Sequence, residues 1–215
     1  LMRSLTVKVR HAELERAGYQ ILGFAPGYDR ELVAPGVVKR VYEAFYAKVK
    51  ADAQVKFIKS KPGHIRVGDD GRPTLYGERQ RYTFPVVAQR RSNFELDLVR
   101  LAIRNHIPTL AICGGMQTMN VACGGSLYQD IAAQVNAGLQ HRQATPAIQV
   151  SHSISITPGS LLNRIVKRTR MRVNSSHHQS VKAVGRTLMP SAIAPDGIIE
   201  AIEHPAHPFF LGLQW

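Results

Sequence analysis

The stretch PTLAICGGMQTMNVACGGSLYQDI, residues 108–131, decides how this chain folds. Residues 109–113 are a short apolar run of the kind buried in a parallel sheet. Gly114 and Gly115 follow at once and open a helical run that stops at Gly124 and Gly125, residues suited to a helix C-terminus. Upstream, Ser92 or Asn93 can cap a helix that sets Phe94, Leu98, Leu101 and Ala102 on one face and closes before Pro108. Helix, strand, tight turn and helix in that order predict an α/β domain with a mainly parallel sheet. Residues 148–156, 168–173, 198–202 and 209–215 are further strand candidates. The whole chain, 1–215, reads as one domain. Inside it, residues 59–92 carry clustered Gly, Pro and charge and predict a long irregular loop.

Cys113 stands where the chemistry becomes specific. Glycines directly behind it permit a sharp turn that thrusts the side chain beyond the end of the sheet, the geometry of a nucleophile elbow. The helix N-terminus offers unpaired N–H groups and the positive end of the dipole, both of which favour a thiolate. The Gly114 N–H is then placed to hold an oxyanion. The plainer alternative is a buried structural cysteine. Cys123 lies roughly 15 Å along the same helix, too far for a disulfide to Cys113, and reads as a packing residue.

Composition narrows the classes. The 215 residues are 44% hydrophobic and 20% charged, as in an ordinary soluble globular chain. No apolar run approaches the roughly 18 residues of a membrane span. Two cysteines point away from a disulfide scaffold and toward a reducing compartment. The first residues turn polar too soon for a signal peptide, so a cytoplasmic location is expected. The sequence opens on Leu1, as a fragment or trimmed chain does. The net charge of +13 is spread, with 19 basic and 11 acidic residues in 1–100 and 9 and 4 in 101–215. Arg168, Arg170 and Arg172 alternate with Thr169, Met171 and Val173, the period of a half-buried strand with one charged face. Without aromatic interleaving or a nucleic-acid module, that stripe reads as solvated surface and not as a nucleic-acid contact. No P-loop or GxGxxG run occurs, and no cofactor is expected. His177 and His178 are adjacent with no carboxylate or cysteine at ligand spacing, so no metal centre is expected either.

Residues 108–131 resemble the nucleophile segment of class I glutamine amidotransferase-like hydrolases, in particular the γ-glutamyl-γ-aminobutyrate hydrolase branch. LYGE (75–78), VNSSHHQSV (173–181) and APDGIIEAIE with HPFFLGLQW (194–215) agree, in family order. Residues 1–70 match loosely, mainly through HAELERAGYQILGFAP. The resemblance implies a three-layer, flavodoxin-like α/β sandwich and hydrolysis of a γ-glutamyl amide through a thioester on Cys113. It implies Gly114 and Gly63 as oxyanion donors, and Gln117, Ser175 and His177 along the glutamyl group. It also implies a small-molecule γ-glutamyl substrate and makes a homodimer plausible. In the family a loop with two consecutive glycines supplies the second oxyanion donor; here Pro62-Gly63-His64 stands there. The family's catalytic His and Glu follow Gln-Trp in a His-Pro-Glu run, and this sequence reaches Trp215. Three other expectations remain open: an inactive relative that binds a ligand or partner, a basic-surface binding module, and a redox-active Cys113.

Overall fold

The structure, a computed structural model, describes residues 75–82, 89–136, 138–146 and 149–215. The readings made on residues 1–74, Gly63 among them, lie outside the described residues. Helix α1 spans Gln89–Arg104. It contains no Gly or Pro and many good helix formers. His106 ends it in the left-handed region at φ 53°, with Ile107 N–H on Ala102 O at 2.9 Å and His106 N–H on Ile103 O at 3.2 Å. This is the paired bonding of a Schellman stop. Strand β1, Thr109–Ile112, and helix α2, Gly114–Ala122, follow. Gly124, at φ +83°, closes α2 in the same manner, as its position in the sequence predicts.

The remaining elements are β2 (Leu127–Tyr128), α3 (Ile131–Gln134), β3 (His152–Ile156), α4 (Leu161–Val166), β4 (Arg170–Val173), β5 (Ser180–Val181), β6 (Met189–Ile193), β7 (Ile199–Glu203) and β8 (Phe210–Leu213). The strands form one sheet in the order β1-β8-β7-β6-β3-β4, with β2 and β5 branching from β7. Alternation along the strands sorts two apolar layers. Leu110, Leu211 and Leu213 face one side with Ile154, Val173 and the α4 residues Leu162 and Val166. Ala111, Phe210 and Ile202 face the other with Val99 and Ala102 of α1 and Met116 and Met119 of α2. Helices thus cover both faces, and the three-layer α/β arrangement stands.

Two expectations change in detail. Among the described residues only β1 and β8 pair in parallel, and the other pairings are antiparallel, so the sheet there is mixed rather than mainly parallel. The cause is connection length. Residues 194–198 and 204–209 join β6 to β7 and β7 to β8, too short for the crossover a parallel pair requires. The second change concerns the end of the long loop and the helix after it. Gln89 to Ser92 already belong to α1, Ser92 is buried, and Phe94 and Leu101 point outward at 55% and 37% exposure. The buried face of α1 is Leu96, Leu98, Val99 and Ala102 instead.

The order of the C-terminal half follows from its polar anchors. Glu203 at the end of β7 accepts the Leu161 N–H at 2.8 and 2.9 Å, and Ser160 Oγ accepts the Asn163 N–H at 3.0 Å. Together they cap α4 against the sheet. Strand β4 lies at the sheet edge with Arg170 and Arg172 exposed and Met171 and Val173 buried, the half-buried charged strand read from its alternation. A charged edge of this kind resists pairing with a second sheet.

Candidate active site

Cys113 joins β1 to α2 at φ 51°, ψ −110°, one of three non-glycine residues with positive φ among those described. A backbone held in so sparsely populated a region is over-determined by its surroundings. Its N–H bonds Leu213 O of the neighbouring parallel strand at 2.6 Å, and its carbonyl accepts the Gln117 N–H at 3.2 Å, closing the first turn of α2. Strand and helix therefore fix the residue from opposite sides. The thiol is in no disulfide and is half-buried. Gly114 is the first residue of α2, where helix amides lack intrahelical partners. Close approach of α2 to the sheet is permitted by Gly212 of β8: a Cβ there would lie 2.9 Å from Met116 Cγ and 3.0 Å from Ile202 Cγ1.

A chain of glutamines backs the cysteine. Gln214 directs Nε2 at Cys113 Sγ across 3.5 Å. Gln117, buried beneath, donates its amide to Gln214 Oε1 at 3.3 Å and to Gln179 O at 3.0 Å. Gln179 donates to Gln129 O at 3.1 Å, and Gln129 in turn bonds Arg79 O and Arg81 N–H at 3.0 and 2.9 Å. Glu78 reaches Lys182 at 2.9 Å. The segment that carries Leu75 to Glu78 is thereby tied to the same framework as Cys113. Cys123 is the other thiol. Burial pushes its pKa up, partly offset by Thr187.

The structure places the predicted residues in two groups. Cys113, Gly114 and Gln117 sit together at the elbow. Ser175 and His177 meet instead around the loop that carries His141: Ser175 Oγ donates to His141 O at 2.6 Å, and His177 N–H bonds the same carbonyl at 3.1 Å. Gln179 O links the groups, because His177 Nδ1 also reaches it, at 2.9 Å.

Sequence reading missed what lies behind His177. Glu200 on β7 is fully buried, with His141 Nδ1 and His152 Nε2 each 3.2 Å and His177 Nε2 3.5 Å from its Oε1. His141 Nε2 lies 2.8 Å from Asp196 Oδ2. Burial would raise the Glu200 carboxyl, but the surrounding imidazoles of His141, His152 and His177 outweigh it and hold the group well below its ordinary pKa. Burial likewise pushes His141 down, and Glu200 and Asp196 more than reverse it, so His141 is raised. The five residues lie in four separate sequence stretches, and no local spacing signals them.

Residues 64–215 match Peptidase C26, and the chain belongs to that family. Protein NtpR of Enterococcus hirae is 37% identical over 150 residues, covering 69% of this chain and 62% of the relative. A gamma-glutamyl-gamma-aminobutyrate hydrolase of Escherichia coli O157:H7 is 36% identical over 150 residues, covering 66% of this chain and 58% of that protein. The chain spans about three fifths of the length of these curated relatives. Among solved structures, a glutamine amidotransferase of Thermotoga maritima aligns with a TM-score of 0.47 and 14% identity, over 81% of this chain and 68% of that one.

Proposed function

We propose that this chain carries the nucleophile of a glutamine amidotransferase-like hydrolase that cleaves γ-glutamyl amides. The observation that carries the reading is the Cys113 backbone, φ 51° and ψ −110° between a buried strand and a buried helix. The gamma-glutamyl-gamma-aminobutyrate hydrolase among the relatives supports the substrate class.

The Cys113 thiolate adds to the amide carbonyl, and Gly114 N–H holds the resulting oxyanion, with Gly63 as the second donor. Collapse breaks the C–N bond, and the amine leaves with a proton from a general acid. Water then attacks the γ-glutamyl thioester, giving glutamate and returning the proton to sulfur. In the resembling family the acid and base are the His and Glu after Gln-Trp. Gln117, Ser175 and His177 act in this reading by positioning the pocket wall, since Gln117 Nε2 is engaged by Gln179 O and Gln214 Oε1 and the other two hold the His141 carbonyl. Metal and organic cofactors have no step in it.

The test is intact mass after incubation with a diazo-ketone glutamine analogue. One adduct, lost in Cys113→Ala, supports an activated thiol beside a glutamyl pocket. No adduct while a small alkylator still reaches Cys113 would give the reading up in favour of a ligand-binding relative.

A further inference from the structure

We propose that His141 Nδ1, His152 Nε2 and a Glu200 carboxylate oxygen, with His177 Nε2 beside the carboxylate, form a buried site for a divalent transition-metal ion of the zinc type. One ligand atom from each of His141, His152 and Glu200 lies within 4.8 Å of the others, and all three residues are buried. His141 Nδ1 and His152 Nε2 each lie 3.2 Å from Glu200 Oε1, and His177 Nε2 lies 3.5 Å from it. Bonds near 2.0–2.1 Å put tetrahedral donors about 3.3 Å apart.

Hydrogen bonding accounts for only part of the arrangement. Glu200 Oε1 makes one hydrogen bond, with His152 Nε2. Glu200 Oε2, His141 Nδ1 and His177 Nε2 are buried and have none, and the two ring nitrogens lie 3.2 and 3.5 Å from Glu200 Oε1. Buried polar atoms are nearly always satisfied, so a group of orphans around one point asks for a common partner. A cation beside Glu200 meets the ring nitrogens and the carboxylate together.

The outer ring has the form that metal sites use. A ligating histidine commonly gives its other ring N–H to a carboxylate or a backbone carbonyl, which fixes the tautomer. His141 Nε2 meets Asp196 Oδ2 at 2.8 Å, and His177 Nδ1 meets Gln179 O at 2.9 Å. Each presents its remaining nitrogen to Glu200. Charge also balances: a dication against the Glu200 and Asp196 carboxylates leaves the buried group neutral, as low-dielectric surroundings require.

Topology explains why the residues converge. Strand β6 ends at Ile193, paired with Ser155, while β3 extends beyond that pair to His152. The turn after β6 brings in Asp196, β7 brings Glu200, and the loops at 138–146 and 174–179 close over from His141 and His177. Because Gln179 O meets both His177 and Gln117, the site backs directly onto the framework that holds Cys113.

The experiment uses the full chain, expressed with zinc in the medium. Elemental analysis is expected to find one zinc per chain. After chelator treatment, Co2+ alone is expected to restore a stoichiometric site with the visible bands of tetrahedral nitrogen and oxygen ligation and no thiolate charge-transfer band. His152→Gln and Glu200→Gln remove those bands. Asp196→Asn, which leaves every donor in place, weakens Co2+ binding by about 10- to 100-fold. A folded wild-type chain that retains no zinc and takes up no Co2+ overturns the proposal and leaves a proton or water between these groups. Undiminished binding in a folded His152→Gln chain, or a thiolate band, overturns it as well, because the metal then sits elsewhere. None of these readouts depends on turnover, so the hydrolase reading stands or falls separately.

Discussion

The side-chain amide of Gln214 faces the sulfur of Cys113 at 3.5 Å, and both residues sit at the same end of two parallel neighbouring strands. Gln214 is held by its own N–H on Glu200 O at 2.9 Å and by Gln117 from below. The thiol therefore meets a fixed dipole and not a mobile surface group.

Removing Gln117 tests that support. Gln117→Met keeps the volume but leaves Gln214 Oε1 without this donor and Gln179 O with His177 Nδ1 alone. The expected cost is about 1–3 kcal/mol, read as a lower denaturation midpoint at constant slope. Unchanged stability would mean that Gln214 Oε1 finds another donor at once.

The elbow's strain predicts an inversion of the usual residue order. At φ 51° and ψ −110° a Cβ is unfavourable, whereas glycine tolerates the conformation. Cys113→Gly is expected to be more stable than Cys113→Ala by about 1 kcal/mol, the gain from released strain exceeding glycine's entropy cost. Thermal unfolding of the two variants side by side decides it.

Gly212 predicts the opposite case. Gly212→Ala forces a methyl against Met116 Cγ at 2.9 Å and Met116 Cβ at 3.1 Å. Overpacking of this kind costs about 1–3 kcal/mol. Met116 belongs to the first turn of α2, so the alkylation rate of Cys113 is expected to change along with the melting temperature. A change in neither would show that Met116 moves aside freely.

The two thiols differ in their expected response to alkylation. Burial raises the pKa of Cys123, so it holds less thiolate at neutral pH than an ordinary cysteine. Peptide mapping after brief iodoacetamide treatment should find Cys113 modified first, and Cys113→Ala should leave only a slow reaction at Cys123. Equal rates at the two sites would refute this.

A pH dependence follows from His207. Burial lowers its pKa below 6.5, the nearby His204 and His106 add to the effect, and bonds with the backbone of Ala102 and Phe209 oppose it. Below pH 6.5 the unfolded chain binds this proton more readily than the folded one, so stability falls as pH drops from there toward the folded pKa. His207→Gln is expected to flatten this part of the stability curve, measured as denaturation midpoints between neutral and mildly acidic pH.

Much of this protein was determined by the sequence alone, where information is local. The β1 run, the glycines after Cys113 and the Gly124-Gly125 stop each act within a few residues, and backbone sterics leave them one reading. The alternation of Arg170, Met171, Arg172 and Val173 likewise records which face of β4 is wet. Strand β6 escaped such reading because Pro190 and a register shift between Pro190 and Ala192 blur its period. Helix α1 showed Leu98 and Ala102 on its buried face, but its neighbours turned Phe94 and Leu101 outward and buried Leu96 and Val99. The histidine and carboxylate group was decided by tertiary structure alone. His141, His152, His177 and Glu200 have no common period, and only strand order and the early end of β6 bring them within reach of one another. Electrostatic and ligand geometry act through space, and a chain records spacing only along itself.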